Sequence, residues 1–427
     1  MSVPPRPKLR PVEAVYVRDP ARGPVIVLRD TEGIAPDAVV VPVEWSVVLS
    51  RFDGRRSAEE IVADVRRSTG RRVDAESVAQ LAAELEGACM LDSPRFQARR
   101  REVVQAFNAS PVRPAAHAGG SYPGVSAELT EFIERRCLAE AQRAGGAASS
   151  APGADGAEGR RLVGLCAPHM DLWRAAAGYG RAYATLARTL SSAEGAGLDT
   201  FVLLGTSHAV MRRPFAVCDK SFETPLGALP PDRGFIAELA EASRFDVLED
   251  QYLHKSEHSL EFQVLFLQHL LGGRAATIVP ILCGLPESQA RGIDPARDEQ
   301  AESFLRALGA AIAGRSGRIF VIAGADLAHV GPRFGDPAPL DARARAALER
   351  RDHESLDRAV ALDPPGFFAH VVEDLDTRRV CGLGPIYTLL RALPTPARGS
   401  LINYTQCVDP KEGSIVSHAS IGFYANA

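Results

Sequence analysis

Three apolar stretches of this chain each run directly into a histidine: Leu162–His169, Thr200–His208 and Ile319–His329, the last passing Asp326 on the way. Short apolar runs bounded by glycine and proline mark strands buried on both faces, as in a parallel sheet covered by helices. In open α/β sheets, ligands gather outside the carboxyl ends of the strands. A chain built this way brings His169, His208 and His329 to one edge of one sheet. Neutral imidazole is the commonest protein ligand for metal ions, so the convergence predicts a metal site or an acid–base centre.

The surrounding pattern supports that sheet. Helical periodicity covers 178–190, 232–242, 260–271 and 300–313, and strand-like runs cover 200–205, 276–282 and 319–324. Two further strands, within 400–406 and 417–425, fit at or near a sheet edge. Alternation of this kind predicts an α/β domain with a largely parallel central sheet and helices on both faces. Residues 1–95 have a different character. Strand candidates at 14–18 and 24–29 are joined by a turn, and a helix over 44–53 stops at Gly54. A Ser57-x-x-Glu60 capping box and an apolar repeat from Asp74 follow. This predicts a small winged-helix-like α+β domain over 1–95, a linker over 96–112 and the large domain over 113–427. The Ala/Gly/Ser-rich stretch near 143–160 buries too little apolar surface to order itself and reads as a flexible surface loop.

Composition narrows the function classes. A chain of 427 residues is longer than one ordinary domain. With 49 basic against 53 acidic residues, net charge −4, it lacks the footprint of a nucleic-acid-binding surface. No apolar run approaches the roughly 18 residues of a membrane span, and no apolar segment follows the basic start in the manner of a secretory signal. Seven cysteines without paired spacing do not form a disulfide framework. A cytoplasmic protein is expected. Phosphate-cradling glycine loops, His-Glu-x-x-His, nucleophile elbows and Cys-x-x-Cys pairs are all missing.

A third metal ligand is best supplied by Cys381, which sits between a short apolar lead-in and a glycine-rich helix start. A helix N-terminus favours the thiolate, the form that binds metal. Cys89, Cys166, Cys218, Cys283 and Cys407 lie in apolar surroundings and read as core. If the chain turns helical after Gly324, Asp326 and His329 share a face, and the carboxylate then orients the imidazole or keeps it basic. His258 and Glu261 have the same spacing; a helix cap using Ser256 or Ser259 explains that segment equally well. His117 lies before the sheet and reaches it only through tertiary folding. His254, His269, His353, His370 and His418 stand in no constellation.

Taken in order, Arg113–Pro123, Ala167–His169, Gly205–His208, Glu257–Glu261, Ala325–His329 and Val380–Gly382 resemble the motifs of the Memo family. That family is similar in fold to the class III extradiol dioxygenases. The resemblance covers residues 111–427 and is greatest to bacterial members labelled AmmeMemoRadiSam system protein B. It implies a metal site at His169, His208 and Cys381, an acid–base histidine at His329 with Asp326 beside it, and His258 lining the pocket. It also implies a radical-SAM protein and an AMMECR-type protein as partners. Two departures stand out. Pro168-His-Met-Asp171 replaces the Pro-His-Ala-Gly of eukaryotic members and adds a carboxylate near the metal, and Gly120-Ser-Tyr122 lacks the family's tryptophan. The Leu49–Ile61 segment resembles the peptide-binding chaperone domains of pyrroloquinoline-quinone biosynthesis, which implies a peptide as ligand of the N-terminal domain. Two imidazoles and a thiolate suit iron or copper, with zinc also accommodated. The expected function is a non-haem iron or copper dependent oxidoreductase; a metal-containing peptide- or protein-binding adaptor without turnover and a zinc-dependent hydrolase are the alternatives.

Overall fold

The computed structural model describes residues 4–139 and 160–426. The loop expected near 143–160 therefore lies, except for Arg160, outside the described residues. The chain divides into two compact units, 1–109 with 332–337, and 110–331 with 338–427.

In the first unit β1 (Glu13–Asp19) and β2 (Gly23–Arg29) form the antiparallel hairpin expected from the sequence, and β3 (Val39–Pro42) adds to β2. Ser57 caps the helix Ala58–Thr69 through the reciprocal box with Glu60. Asp74 caps Ala75–Gly87 by accepting from the Ser77 amide. Four-residue spacing puts Ile61 with Val65, and Leu81 with Leu85, on the faces that pack against Leu28 and Val41 of the sheet. Only Ser46–Leu49 of the helix expected over 44–53 is α-helical. The stretch read as a linker contains an ordered helix, Pro94–Ala109, which belongs to this unit and buries Phe96 and Phe107.

The second unit is built on an eight-stranded sheet. Its strands are β5 (Arg160–Ala167), β6 (Thr200–Thr206), β7 (Phe215–Val217), β10 (Thr277–Cys283), β11 (Ile319–Gly324), β12 (Asp326–Val330), β13 (Ala397–Val408) and β14 (Ile415–Asn426). A small sheet of β4 (Val112–Arg113), β8 (Ser221–Thr224) and β9 (Gly227–Leu229) stands apart from it. The centre of the large sheet, β10-β6-β11-β5, is parallel as expected. Its margins are antiparallel: β7 runs against β10, and β14 against β5. One side of β14 pairs first with β12 and then with β5, and the other side pairs along its length with β13. Val202, Val279, Ile281 and Val321 pack with Phe304, Leu308, Ile386 and Leu389 of the helices Glu299–Ala313 and Leu383–Ala392. Each such side chain contributes about 1.5–3 kcal/mol by leaving water, so the parallel core is a stiff platform. No helix among the described residues is long and apolar enough to cross a membrane.

Candidate metal centre

Strand register fixes the site. Ala167 of β5 lies level with Gly324 of β11, which lies level with Gly205 of β6. The three strands therefore end together, and the residues just past them, His169 and His208, meet. Cys381 arrives immediately before the helix Leu383–Ala392, held by Thr206 Oγ1 donating to its carbonyl at 2.9 Å and by the Gly382 amide donating to Asp326 O at 3.0 Å. One donor atom from each of His169, His208 and Cys381 falls within 4.8 Å of the others. Cys381 Sγ is 3.2 Å from His169 Nε2.

The rings are aimed by their other nitrogens. His169 Nδ1 donates to Gly324 O at 2.9 Å, which leaves Nε2 for the sulfur. His208 Nδ1 lies 3.0 Å from Glu257 Oε2, and the same carboxylate accepts from the amides of His208, His258 and Ser259. Carbonyl and carboxylate partners of this kind fix the tautomer and raise the basicity of a ligating imidazole. Sequence reasoning missed Glu257. It paired His258 with Glu261, but Glu261 is fully buried elsewhere, ion-paired with Arg113 and accepting from Tyr122 and the Ala116 and His117 amides. Nor do Ser256 and Ser259 cap the helix Glu261–Leu271, whose N-cap makes no side-chain hydrogen bond. The His258 ring stacks on His208 at 4.7 Å, and His117 approaches it edge-on at 5.6 Å.

Asp326 and His329 lie on strand β12 and do not share a helical face. Residues three apart on a regular strand face opposite ways; a register shift between these two bends the strand and brings both to the site. Asp326 does not hold His329. Its Oδ1 accepts from the His169 amide at 3.0 Å, and its Oδ2 is 3.7 Å from His169 Nε2. His329 Nδ1 is held by the carbonyls of Leu327 and Arg379 at 3.1 and 3.2 Å, and its Nε2 is 4.0 Å from Cys381 Sγ. His169 is buried, whereas the His208 side chain is 34% exposed, so the centre opens on the His208 side.

The electrostatics follow from this packing. Burial opposes ionisation of the Cys381 thiol, but His169 and His329 outweigh it and hold the group well below the ordinary thiol value. Burial likewise opposes protonation of His169, and Cys381 with Asp326 reverses that, lifting it to about 9. His208 is raised against its burial by Glu257 and Cys381. Burial dominates at His258 and keeps that ring neutral. The centre thus contains a thiolate facing imidazoles whose shared protons a cation can replace.

The family model described as "Memo-like protein" matches residues 113–422. The chain belongs to the Memo family. A MEMO1 family protein of Aquifex aeolicus (strain VF5) is 28% identical over 404 residues, covering 94% of this chain and 96% of that protein. One from Thermococcus kodakarensis is 31% identical over 323 residues, covering 73% and 99%. The Memo match begins after residue 109, so residues 1–109 precede the matched Memo region. A crystal structure of an uncharacterized protein from Escherichia coli K12 matches with TM-score 0.35 and 15% identity, over 61% of this chain and 99% of that one. Within the Memo domain, Asp171 is occupied by its own helix. It caps Leu172–Leu190 by accepting from the Arg174 amide at 3.1 Å and Arg174 Nε at 2.6 Å, and it stands in no group of candidate ligands among the described residues.

Proposed function

We propose that this Memo family protein is a metal-dependent oxidoreductase whose ion, iron or copper, is held by His169, His208 and Cys381. The observation that carries the proposal is the convergence of those three donors, with both imidazoles already oriented by partners on Nδ1. Nitrogen and sulfur ligands about 2.05 and 2.3 Å from a shared tetrahedral ion stand about 3.5 Å apart; the 3.2 Å between His169 Nε2 and Cys381 Sγ is a little short of that, a spacing that opens slightly when an ion enters between them. Three protein ligands leave a coordination position for substrate, and a thiolate favours copper or a covalent iron site over hard cations. The ion would supply the redox change and Lewis acidity. The chain's own residues do the rest. His329, with Nδ1 on carbonyls, presents Nε2 to take or give a proton beside the sulfur. Asp326 positions His169 through its amide, and His258 lines the open side.

The test is metal content by mass spectrometry on protein purified without oxygen or chelator, beside a His169→Ala, Cys381→Ala double variant. Near-stoichiometric iron or copper in the wild type, lost in the variant, supports the reading and directs a screen of oxygen-dependent substrates. Zinc lost in the same way favours hydrolysis. Folded wild-type protein unable to take up added metal overturns the reading.

A further inference from the structure

We propose that the open side of the same centre holds a second divalent cation, bound by His208, Glu257 and His258. The proposal takes from the reading above only that the other nitrogen of His208 serves the Cys381 site.

One donor atom from each of these three residues again falls within 4.8 Å of the others. Glu257 Oε2, the oxygen with an acceptor direction not taken by an amide, is 3.0 Å from His208 Nδ1, and Oε1 is 3.3 Å from His258 Nδ1. Cis ligands about 2.0–2.1 Å from a tetrahedral ion stand about 3.3 Å apart, so the spacing is already that of a coordination shell. The lone pairs of Glu257 point the same way. A carboxylate has about four acceptor directions. Three are taken by the amides of His208, His258 and Ser259, and the remaining partner is the proton on His208 Nδ1. A cation takes the place of that proton, which leaves to solvent, and the ring then bridges two ions through its two nitrogens. His258 already turns its Nδ1 toward the carboxylate, 3.3 Å from Glu257 Oε1, so its lone pair faces the proposed ion.

The two positions differ in chemistry. Two imidazoles and a carboxylate form a harder set than two imidazoles and a thiolate, suited to ferrous iron and other divalent first-row ions rather than cuprous copper. They differ in access too, since His208 and His258 side chains are 34% and 29% exposed against 2% for His169. The outer ion is therefore the exchangeable one.

The experiment is titration of metal-stripped, full-length protein with Co²⁺ alone, followed by calorimetry and visible absorption. Cobalt at the inner position gives a sulfur-to-metal charge-transfer band; cobalt at the outer position does not. The wild type is expected to take two equivalents, only one of them with the band. His258→Ala should lose the outer equivalent and keep the band, and His258→Gln, a smaller disturbance to the loop, should behave in the same way. Cys381→Ser should lose the band and keep one equivalent, which disappears when His258→Ala is added. Failure of the inner site alone reads as no band in wild type, with one equivalent still lost in His258→Ala. One equivalent in the wild type, unchanged in both His258 variants, overturns the outer site, as does a folded Cys381→Ser protein that binds no cobalt.

Discussion

Gly382 is the point at which the segment carrying Cys381 presses closest to the sheet, and replacing it with alanine tests the centre without touching a donor atom. A Cβ built there would stand 2.2 Å from Asp326 O and 2.8 Å from the Ala325 side chain. Ordinary contact begins at 3.4 Å, so the alanine needs about 1.2 Å of displacement (3.4 − 2.2). Asp326 and Ala325 are each 1% exposed at the β11–β12 junction, so the Cys381 side must move. That movement strains the Gly382–Asp326 and Thr206–Cys381 hydrogen bonds and carries Sγ away from His169 Nε2. Metal sites tolerate about 0.2 Å in ligand distance, several times less than the shift. We expect Gly382→Ala to cost about 1–3 kcal/mol as overpacking and to weaken metal binding by about tenfold or more. Denaturant unfolding of metal-free protein and a competition titration measure the two effects separately. Gly87→Ala is the control, because a Cβ there meets nothing within 4 Å and alanine in a helix is favourable. A Gly382→Ala protein with wild-type metal affinity would refute the idea that this close approach sets the position of Cys381.

Three further outcomes follow from the same geometry. Glu257→Gln, which puts an amide NH₂ where two donors now point, should lower metal affinity about 10–100-fold in the same competition titration, and unchanged affinity would remove Glu257 from the centre. Arg113→Met strands the fully buried Glu261 carboxylate and should cost about 3–5 kcal/mol in denaturant unfolding, much of it recovered in the Arg113→Met, Glu261→Leu double variant; additive losses would contradict the pairing. Burial, only partly offset by the hydrogen bond to Ala216 O, pushes His254 down to about 4. The unfolded chain thus takes up that proton first, and the contribution is intact above about pH 6.5 and lost as pH falls toward about 4, roughly 3 kcal/mol in all. The loss of stability between about pH 7.5 and about pH 4.5 should be larger for wild type than for His254→Phe by about 2.5 kcal/mol, and equal losses would refute it.

How much of this was legible in the sequence depends on whether an interaction is local. The runs ending at His169 and His208 announced themselves because a strand buried on both faces must be continuously apolar, and the capping residue Ser57 because a cap satisfies amides two or three residues away. The orientation of the rings was not legible. Glu257 meets His208 across 49 residues and His169 meets Gly324 across 155, with no periodicity to connect them. The bulge in β12 was hidden for a related reason: an extra residue leaves the composition of a strand unchanged, so Asp326-Leu-Ala-His329 read as well on a helix. One trace of the long-range packing did stand in the chain. A Cβ on Gly324 would meet Ser259 O at 2.5 Å, so only glycine at the end of β11 lets the Glu257–Ser259 loop settle over the strand ends. The sequence showed that glycine as a strand terminator. It took the fold to show that the same residue, through its carbonyl, aims His169 and, through its missing side chain, admits the loop that aims His208.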